Sequence, residues 1–238
     1  MLKHHICHIH CLDHPSVFKV VSYATKYKKL FNGVKIATLI KVTPESDIYE
    51  RVYSILTKLG YEIVTVQNTP LREVGHFFNT SLPILLSKTS EGVVYYNHSK
   101  GISYHPDSED GIATTLWTDV LYHYTLDCAD KFPFEDKRYK TFGSCIIKNK
   151  NFLEPKTLGE EYSYLGTFFW IKIEDLATKK FNPELSVFYL EALPGLVSKS
   201  TQAFNLGPTF SKFESPYKLE SWEKKGINIG FPNKNNAN

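Results

Sequence analysis

The stretch GVVYYNHSKG, residues 92–101, decides how this chain is read. Val93, Val94, Tyr95 and Tyr96 form a β-branched and aromatic run, the composition of a buried strand. The run ends at Asn97-His98-Ser99-Lys100-Gly101. Open α/β sheets bind ligands outside the carboxyl ends of their strands, and a polar cluster with a cation and a glycine suits that place. Lys100 offers a point charge to a phosphate. His98 can ligate, hydrogen-bond or carry a proton, and Gly101 lets the backbone turn sharply. The same residues also suit a solvated surface turn, so the flanking sequence has to distinguish the two.

Upstream, strand and helix patterns alternate. Residues 4–12 read as a first strand with Ile6, His8 and His10 on one face and Cys7, Ile9 and Cys11 on the other. His8 and His10 are a candidate metal pair and equally candidate core histidines. Residues 12–16 form a loop in which Asp13 or Ser16 caps the next helix. That helix is predicted over 17–31 from the three- and four-residue spacing of Val17, Val20, Val21, Ala24, Tyr27 and Leu30. Lys26, Lys28 and Lys29 near its end suit the helix dipole, and Asn32-Gly33 stops it. A second strand follows over 34–42. Thr43 and Pro44 read as the cap and first turn of a helix carrying Ile48, Val52, Ile55, Leu56 and Leu59 and ended by Gly60. Residues 62–66 are a third strand. Residues 72–87 are mostly helical, with Pro83 as an interruption. This β-α-β-α-β order with short links predicts an α/β fold, Rossmann-like, with a mostly parallel central sheet and right-handed crossovers. No GxGxxG follows the first strand and no GxxxxGK[ST] occurs, so the classical dinucleotide and P-loop readings are unsupported.

Downstream, HPDSEDG (105–111) is a polar, acidic loop, and a helix over 112–129 carries Leu116, Trp117, Val120, Leu121 and Tyr124. Residues 132–139 are irregular, 142–147 read as a strand, and 148–160 as a long polar loop. The most aromatic stretch is YSYLGTFFWIKI, 162–173. On a strand, Phe168 and Trp170 share one face and Thr167 and Phe169 the other. A short helix begins at Glu174-Asp175-Leu176. A last strand is predicted over 187–190, ending at Glu191-Ala192-Leu193-Pro194-Gly195. The pattern weakens after 198, and the tail 228–238 is expected to fray.

Composition narrows the classes. The 238 residues are 42% hydrophobic and 14% aromatic, which marks a globular chain with a real core. Twenty-eight basic against 25 acidic residues give a net charge of +3, too balanced to announce nucleic acid. None of the four cysteines, Cys7, Cys11, Cys128 and Cys145, has CxxC spacing, so free buried thiols are expected rather than a zinc knuckle. The histidine-rich start does not resemble a secretory leader, and no apolar run approaches a membrane span. A soluble, cytoplasmic protein of one domain, 1–238, is expected.

Three blocks stand in order: YYNHSKG with Trp117 and Leu121 downstream, FGSCIIKN followed by YSYLGTFFWIKIEDL, and FYLEALPG. This arrangement resembles a family of small glycosyltransferases of bacteria and large DNA viruses. Its members show a strand ending in His-[Thr/Ser]-Lys-Gly, a Trp-containing helix, an aromatic Gly-Asn-Phe-Trp-Trp-like strand and a late Glu-containing strand. The resemblance covers roughly residues 8–195, and His98-Ser99-Lys100-Gly101 is its most specific part. It implies a GT-A type fold whose 1–101 half binds a nucleotide sugar such as a UDP-sugar. The 102–198 part would take the acceptor, and 199–238 would be an irregular tail. Donor binding is then expected of His8, His10, Asp13, Glu73, His98, Ser99, Lys100 and Gly101, and acceptor binding of Trp117, Gly166, Thr167, Phe169 and Trp170. The chain departs from the family at Ser163, where His is usual, at Thr167 for Asn and at Phe169 for Trp. Glu73 with His76-Phe77 only partly meets a family Glu-x-x-Thr-Leu pattern.

A GT-A fold usually ends its fourth strand in Asp-x-Asp, which holds a divalent metal on the donor diphosphate; here His98-Ser99-Lys100 takes that place. Glycosyl transfer needs the leaving diphosphate neutralised, by a metal as Lewis acid or by preorganised donors such as a lysine and a histidine. The expectation is therefore no required cofactor, with the nucleotide sugar as co-substrate and a divalent metal admissible but not expected. The acceptor hydroxyl needs a base, and Glu191 is the first candidate, with Asp13 and Glu73 as alternatives. Glu191 also reads as a surface carboxylate beside a Pro-Gly turn, and the aromatic stretch as core packing. Two further readings stand beside transfer to a glycan or protein: transfer to a modified nucleic-acid base, and a non-catalytic nucleotide- or glycan-binding module. A nuclease is not supported, because no paired carboxylates hold two metals.

Overall fold

The histidine-rich start KHHICHIHC extends as strand β1 (Lys3–Cys11), and the sheet is built outward from it. The computed structural model describes residues 1–42, 46–148, 158, 160–186, 188–210 and 214–227. The further strands are β2 (Lys35–Lys41), β3 (Glu62–Val66), β4 (Val93–His98), β5 (Thr141–Gly143), β6 (Ile146–Lys148), β7 (Tyr162–Tyr164), β8 (Phe169–Lys172) and β9 (Ala203–Asn205). The helices are α1 (Pro15–Lys26), α2 (Ile48–Lys58), α3 (Arg72–His76), α4 (Leu82–Lys88), α5 (Glu109–Tyr122), α6 (Ile173–Ala177), α7 (Tyr189–Val197) and α8 (Leu219–Glu223).

The central sheet has seven strands in the order β3-β2-β1-β4-β8-β5-β9. Its pairs are parallel except those made by β8, which runs against both β4 and β5. The sheet is therefore mostly parallel and the protein α/β, as the β-α-β-α-β order predicts. β6 and β7 form a separate antiparallel pair.

Side chains alternate across the sheet and sort the layers. Ile6 of β1 and Val94 and Tyr96 of β4 face a core shared with Phe77, Leu82, Leu190 and Leu193, on the side of α4 and α7. Cys7, Ile9 and Cys11 meet Val17, Val21, Val52 and Leu56 of α1 and α2. Val93 and Tyr95 meet Trp117 and Leu121 of α5, with Trp170 of β8. The end of β4 thus lies between two helical layers, α5 on one side and α7 on the other. All four cysteines are free and buried.

Several boundaries differ from expectation. Helix α1 starts at Pro15 and ends at Lys26, and its cap is His14, whose side chain accepts from the Ser16 backbone, not Asp13 or Ser16. The 72–87 helix is broken by a π-helical turn, Phe77–Ser81, and Pro83 sits in the first turn of α4, where its missing N–H costs nothing. Helix α5 begins at Glu109, capped by Ser108, and continues only as a π-helical turn from His123 to Asp127. The single strand expected over 142–147 is two, β5 and β6, because Cys145 adopts φ 56 and redirects the chain into the second sheet. The aromatic stretch likewise divides into β7 and β8 at Gly166 and Thr167, both at positive φ. The last expected strand is helix α7: Tyr189, Leu190, Leu193 and Val197 give it a buried stripe that overrides their β propensity. Strand β9 was not expected at all. The Thr43-Pro44 helix start, most of the 148–160 loop, Val187 and the tail 228–238 lie outside the described residues.

Candidate active site at the end of the central strand

Beyond His98 the chain turns at Gly101, where φ is +82 and an added Cβ would stand 2.5 Å from Thr114 Cγ2 of α5. Only glycine combines that backbone with that approach. The turn leaves His98, Ser99 and Lys100 at the carboxyl end of β4, and Ser99 Oγ fastens it to β1 by accepting from the His10 backbone N–H at 3.1 Å. A cleft of about 1060 Å³ opens here, bordered by the carboxyl ends of β1 to β4. His10, Glu73, His98, Ser99, Lys100, Gly101, Thr167 and Glu191 all line it.

Lys100 is 8% exposed, and its Nζ stands 3.8 Å from the centroid of the Trp117 ring. Burial pushes its pKa down, while the charges of Glu191, Glu73 and Cys145 oppose that shift. Glu191, in the first turn of α7, is pushed the other way: burial raises its carboxyl, the charge of Lys100 lowers it and that of Glu73 raises it again. A backbone hydrogen bond from Gly166 favours its ionised form. His98 is held neutral, with a pKa lowered to about 3 by burial and then by the Lys100 charge. Its Nε2 is 3.0 Å from Thr167 Oγ1. Gly166 and Thr167 therefore touch the site through backbone and hydroxyl, spanning the gap between α5 and α7. A cation and a neutral imidazole from the end of β4 share one cleft with a carboxylate from α7, far downstream in the chain.

Not every expected residue is there. Asp13 is exposed in the loop after β1 and does not line the cleft, whereas its neighbours His10 and Leu12 do. His8 is buried below it, with Nδ1 2.7 Å from Thr38 Oγ1 and its ring stacked on His76 at 5.0 Å. Phe169 and Trp170 are core residues; the Trp170 indole donates to the Thr125 carbonyl at 2.8 Å. Trp117 is buried under Lys100 and does not border the cleft. The aromatics that do border it are Tyr104, Phe188 and Tyr217, the last two 59% and 38% exposed. Lys41 and Arg72 add cations at the β2 and β3 side. None of these five is marked by periodicity: Lys41 ends β2, Arg72 opens α3, and Tyr104, Phe188 and Tyr217 lie outside the strands and helices.

The end of β4 offers an imidazole, a hydroxyl and an ammonium, whereas Mg²⁺ and Mn²⁺ select oxygen ligands. Among the described residues, no three His, Cys, Asp or Glu side chains are grouped to hold a metal ion. No helix among those residues is long and apolar enough to cross a membrane.

No family model and no curated protein matches this chain. Among solved structures it is similar to glucosyl-3-phosphoglycerate synthase of M. tuberculosis, at 14% identity and a TM-score of 0.46, over 88% of this chain and 72% of that one.

Proposed function

We propose that this protein is a glycosyltransferase of GT-A type that moves a sugar from a nucleotide-sugar donor to an acceptor hydroxyl. The observation that carries the reading is the meeting of Lys100, His98 and Glu191 in one cleft at the carboxyl ends of parallel strands. That is the place where open α/β sheets take ligands. It also turns the His98-Ser99-Lys100-Gly101 resemblance into a constellation with separate roles.

In this reading the donor diphosphate lies against Lys100, with the Ser99 and Gly101 segment beneath it. As the bond from the sugar C1 to the diphosphate oxygen breaks, its electron pair stays on the diphosphate, and the ammonium offsets the developing charge. His98, neutral across the physiological range, serves as a hydrogen-bonding group and not as a second cation. The acceptor oxygen forms the new bond to C1, and its proton passes to Glu191. A carboxylate whose pKa is raised by burial is better matched to that task than an exposed one. Tyr104, Phe188 and Tyr217 offer apolar faces on which an acceptor ring can stack. Glu73 and Glu191 both remain in the cleft, which favours an enzyme over a binding module that has lost its carboxylates.

The test is a thermal-shift screen of UDP-, GDP- and ADP-sugars, followed by release of nucleoside diphosphate in the presence of saccharide acceptors. A ligand at a hundred times its Kd stabilises the folded state by about 2.7 kcal/mol, roughly 5–10 °C for a chain of this size. The expected outcome is a shift with one nucleotide class and turnover that Glu191→Gln abolishes. No shift with any nucleotide sugar, or turnover unchanged in Glu191→Gln, would refute the assignment.

A further inference from the structure

We infer that Trp117 is a positioning residue for Lys100, its indole face holding the ammonium at the wall of the cleft in the place where an anionic ligand is met. The inference rests on the function proposed above for its purpose, though not for its geometry. The Lys100 Nζ lies 3.8 Å from the indole centroid, well inside the distance at which a cation is attracted to a ring face. The lysine is nine-tenths buried. Glu191 and Glu73 act on it only through their charges, with no ion pair to Lys100 among the described residues. The ring is therefore the group that compensates this desolvated cation at contact distance.

The ring itself is fixed. Trp117 is 2% exposed, Tyr217 packs edge-on against it at 5.1 Å, and Gly166 comes so close that an added Cβ would be 3.1 Å from Trp117 Cζ2. A fixed ring facing one side of an ammonium leaves the N–H donors on the other side for the cleft, which Lys100 also lines. This is the geometry of a preorganised charge: no reorganisation is needed when an anion arrives. It also explains why a Trp stands one helical layer away from the motif without bordering the cleft. The groups that face Lys100 are Glu191 of α7, Glu73 of α3, His98 at the end of β4 and Cys145 before β6. Tyr104 and Tyr217 share the cleft with it. His14 and Lys19 of the α1 layer lie across a cavity of about 20 Å³ on its other side.

The experiment reads Lys100 directly. The full chain, as wild type, Trp117→Leu and Trp117→Phe, is labelled with trace acetic anhydride across pH, and acetylation of the Lys100 peptide is quantified by mass spectrometry. Losing the ring face removes stabilisation of the charged amine. The labelling midpoint of Trp117→Leu should fall by about one pH unit, and that of Trp117→Phe by less, because a smaller ring keeps part of the attraction. Affinity for UDP, GDP and ADP, measured by calorimetry at pH 8, should weaken about tenfold in Trp117→Leu and be mostly retained in Trp117→Phe. Should Trp117→Leu not fold, a midpoint lowered in Trp117→Phe supports the pairing and an unchanged one overturns it. Equal midpoints in all three proteins, or equal loss of affinity in both variants, would reduce Trp117 to a packing residue and overturn the inference. A shifted midpoint in a protein that binds none of the diphosphates would leave the pairing standing and overturn the glycosyltransferase reading instead.

Discussion

Gly166→Ala tests the site's geometry through stability alone. Gly166 has φ +92, and an added Cβ would stand 2.7 Å from Leu121 Cδ1 and 3.1 and 3.2 Å from Trp117 Cζ2 and Cε2. The backbone conformation costs an L-residue about 1–2 kcal/mol. The Leu121 methyl can rotate away, but the Trp117 ring is held by Tyr217 and Lys100, so overpacking adds about 1–3 kcal/mol. Restricting the unfolded chain returns about 0.4–1 kcal/mol. The net loss is about 2–4 kcal/mol, a large part of the 5–15 kcal/mol that a domain commonly has. At roughly 2–4 °C per kcal/mol, Tm should fall by about 4–16 °C. Gly226→Ala is the internal control: φ there is +70, yet nothing lies within 4 Å of an added Cβ. It bears the backbone cost without the packing cost and should lose about 1 kcal/mol. Both variants are followed by calorimetry and urea unfolding at neutral pH. Equal losses at the two positions would refute the close approach of residue 166 to α5, and with it the way this turn bridges the two helical layers.

Three further outcomes are expected. Lys100→Ala should keep the circular dichroism of the wild type while turnover falls on the order of 10²–10³-fold, the loss typical for a charge-stabilising donor; unchanged turnover would leave Lys100 a buried structural cation with no part in transfer. Saturating EDTA should leave transfer nearly unchanged, because the strand end lacks the carboxylates that hard cations select; complete loss restored by Mn²⁺ would reveal a metal site built elsewhere in the chain. Acid should destabilise the fold through His5, which is fully buried and has a pKa lowered by burial to about 4. Above pH 6.5 the folded and unfolded forms are both neutral. Below it the unfolded chain takes a proton that the folded one refuses, so stability falls between pH 6.5 and 4 by about 3 kcal/mol in urea titrations. A slope unaltered by His5→Gln would assign the acid sensitivity to other groups.

The parallel half of the fold was legible because its elements obey local rules. β1 and β2 are short, almost continuously buried runs, as strands inside a parallel sheet are, and α1 and α2 follow the period of 3.6. The network that fixes their packing was not legible. His5 lies between the Tyr61 hydroxyl and Asn97 Oδ1, and Asn97 Nδ2 donates to the Tyr122 hydroxyl. These partners are 56, 92 and 25 residues apart. Since His5 is neutral and Asn97 Oδ1 can only accept, the ring donates from Nε2 and accepts the Tyr61 proton at Nδ1. Such a chain of contacts follows from the closed sheet and from no local pattern. Helix α7 failed for a related reason. The run Val187-Phe188-Tyr189-Leu190 favours a strand by local propensity, and only the core beneath Leu190, Leu193 and Val197 makes Tyr189 and Leu190 worth more on a helix.

The failures of local reading gather at the cleft. Arg72 at φ 49, Thr167 at φ 59 and Gly101 at φ 82 all line it, and Gly166 at φ 92 hydrogen-bonds to Glu191 within it. For Arg72 and Thr167, with ordinary side chains, a left-handed backbone costs about 1–2 kcal/mol each, and sequences retain such a cost where the surrounding structure or a function requires it. Each departure also relocates a side chain that periodicity had assigned elsewhere. The turn at Gly166 takes Phe169 and Trp170 into the core and leaves the Thr167 hydroxyl against His98. The helix in place of a strand at 189–197 puts Glu191 in a first turn facing Lys100 rather than at a strand end. A solvated turn at residues 97–101 would have needed neither displacement, nor a buried lysine set against a tryptophan. The strain, the buried cation and the raised carboxylate all gather at the same cleft, and the ligand site proposed there gives all three a common cause.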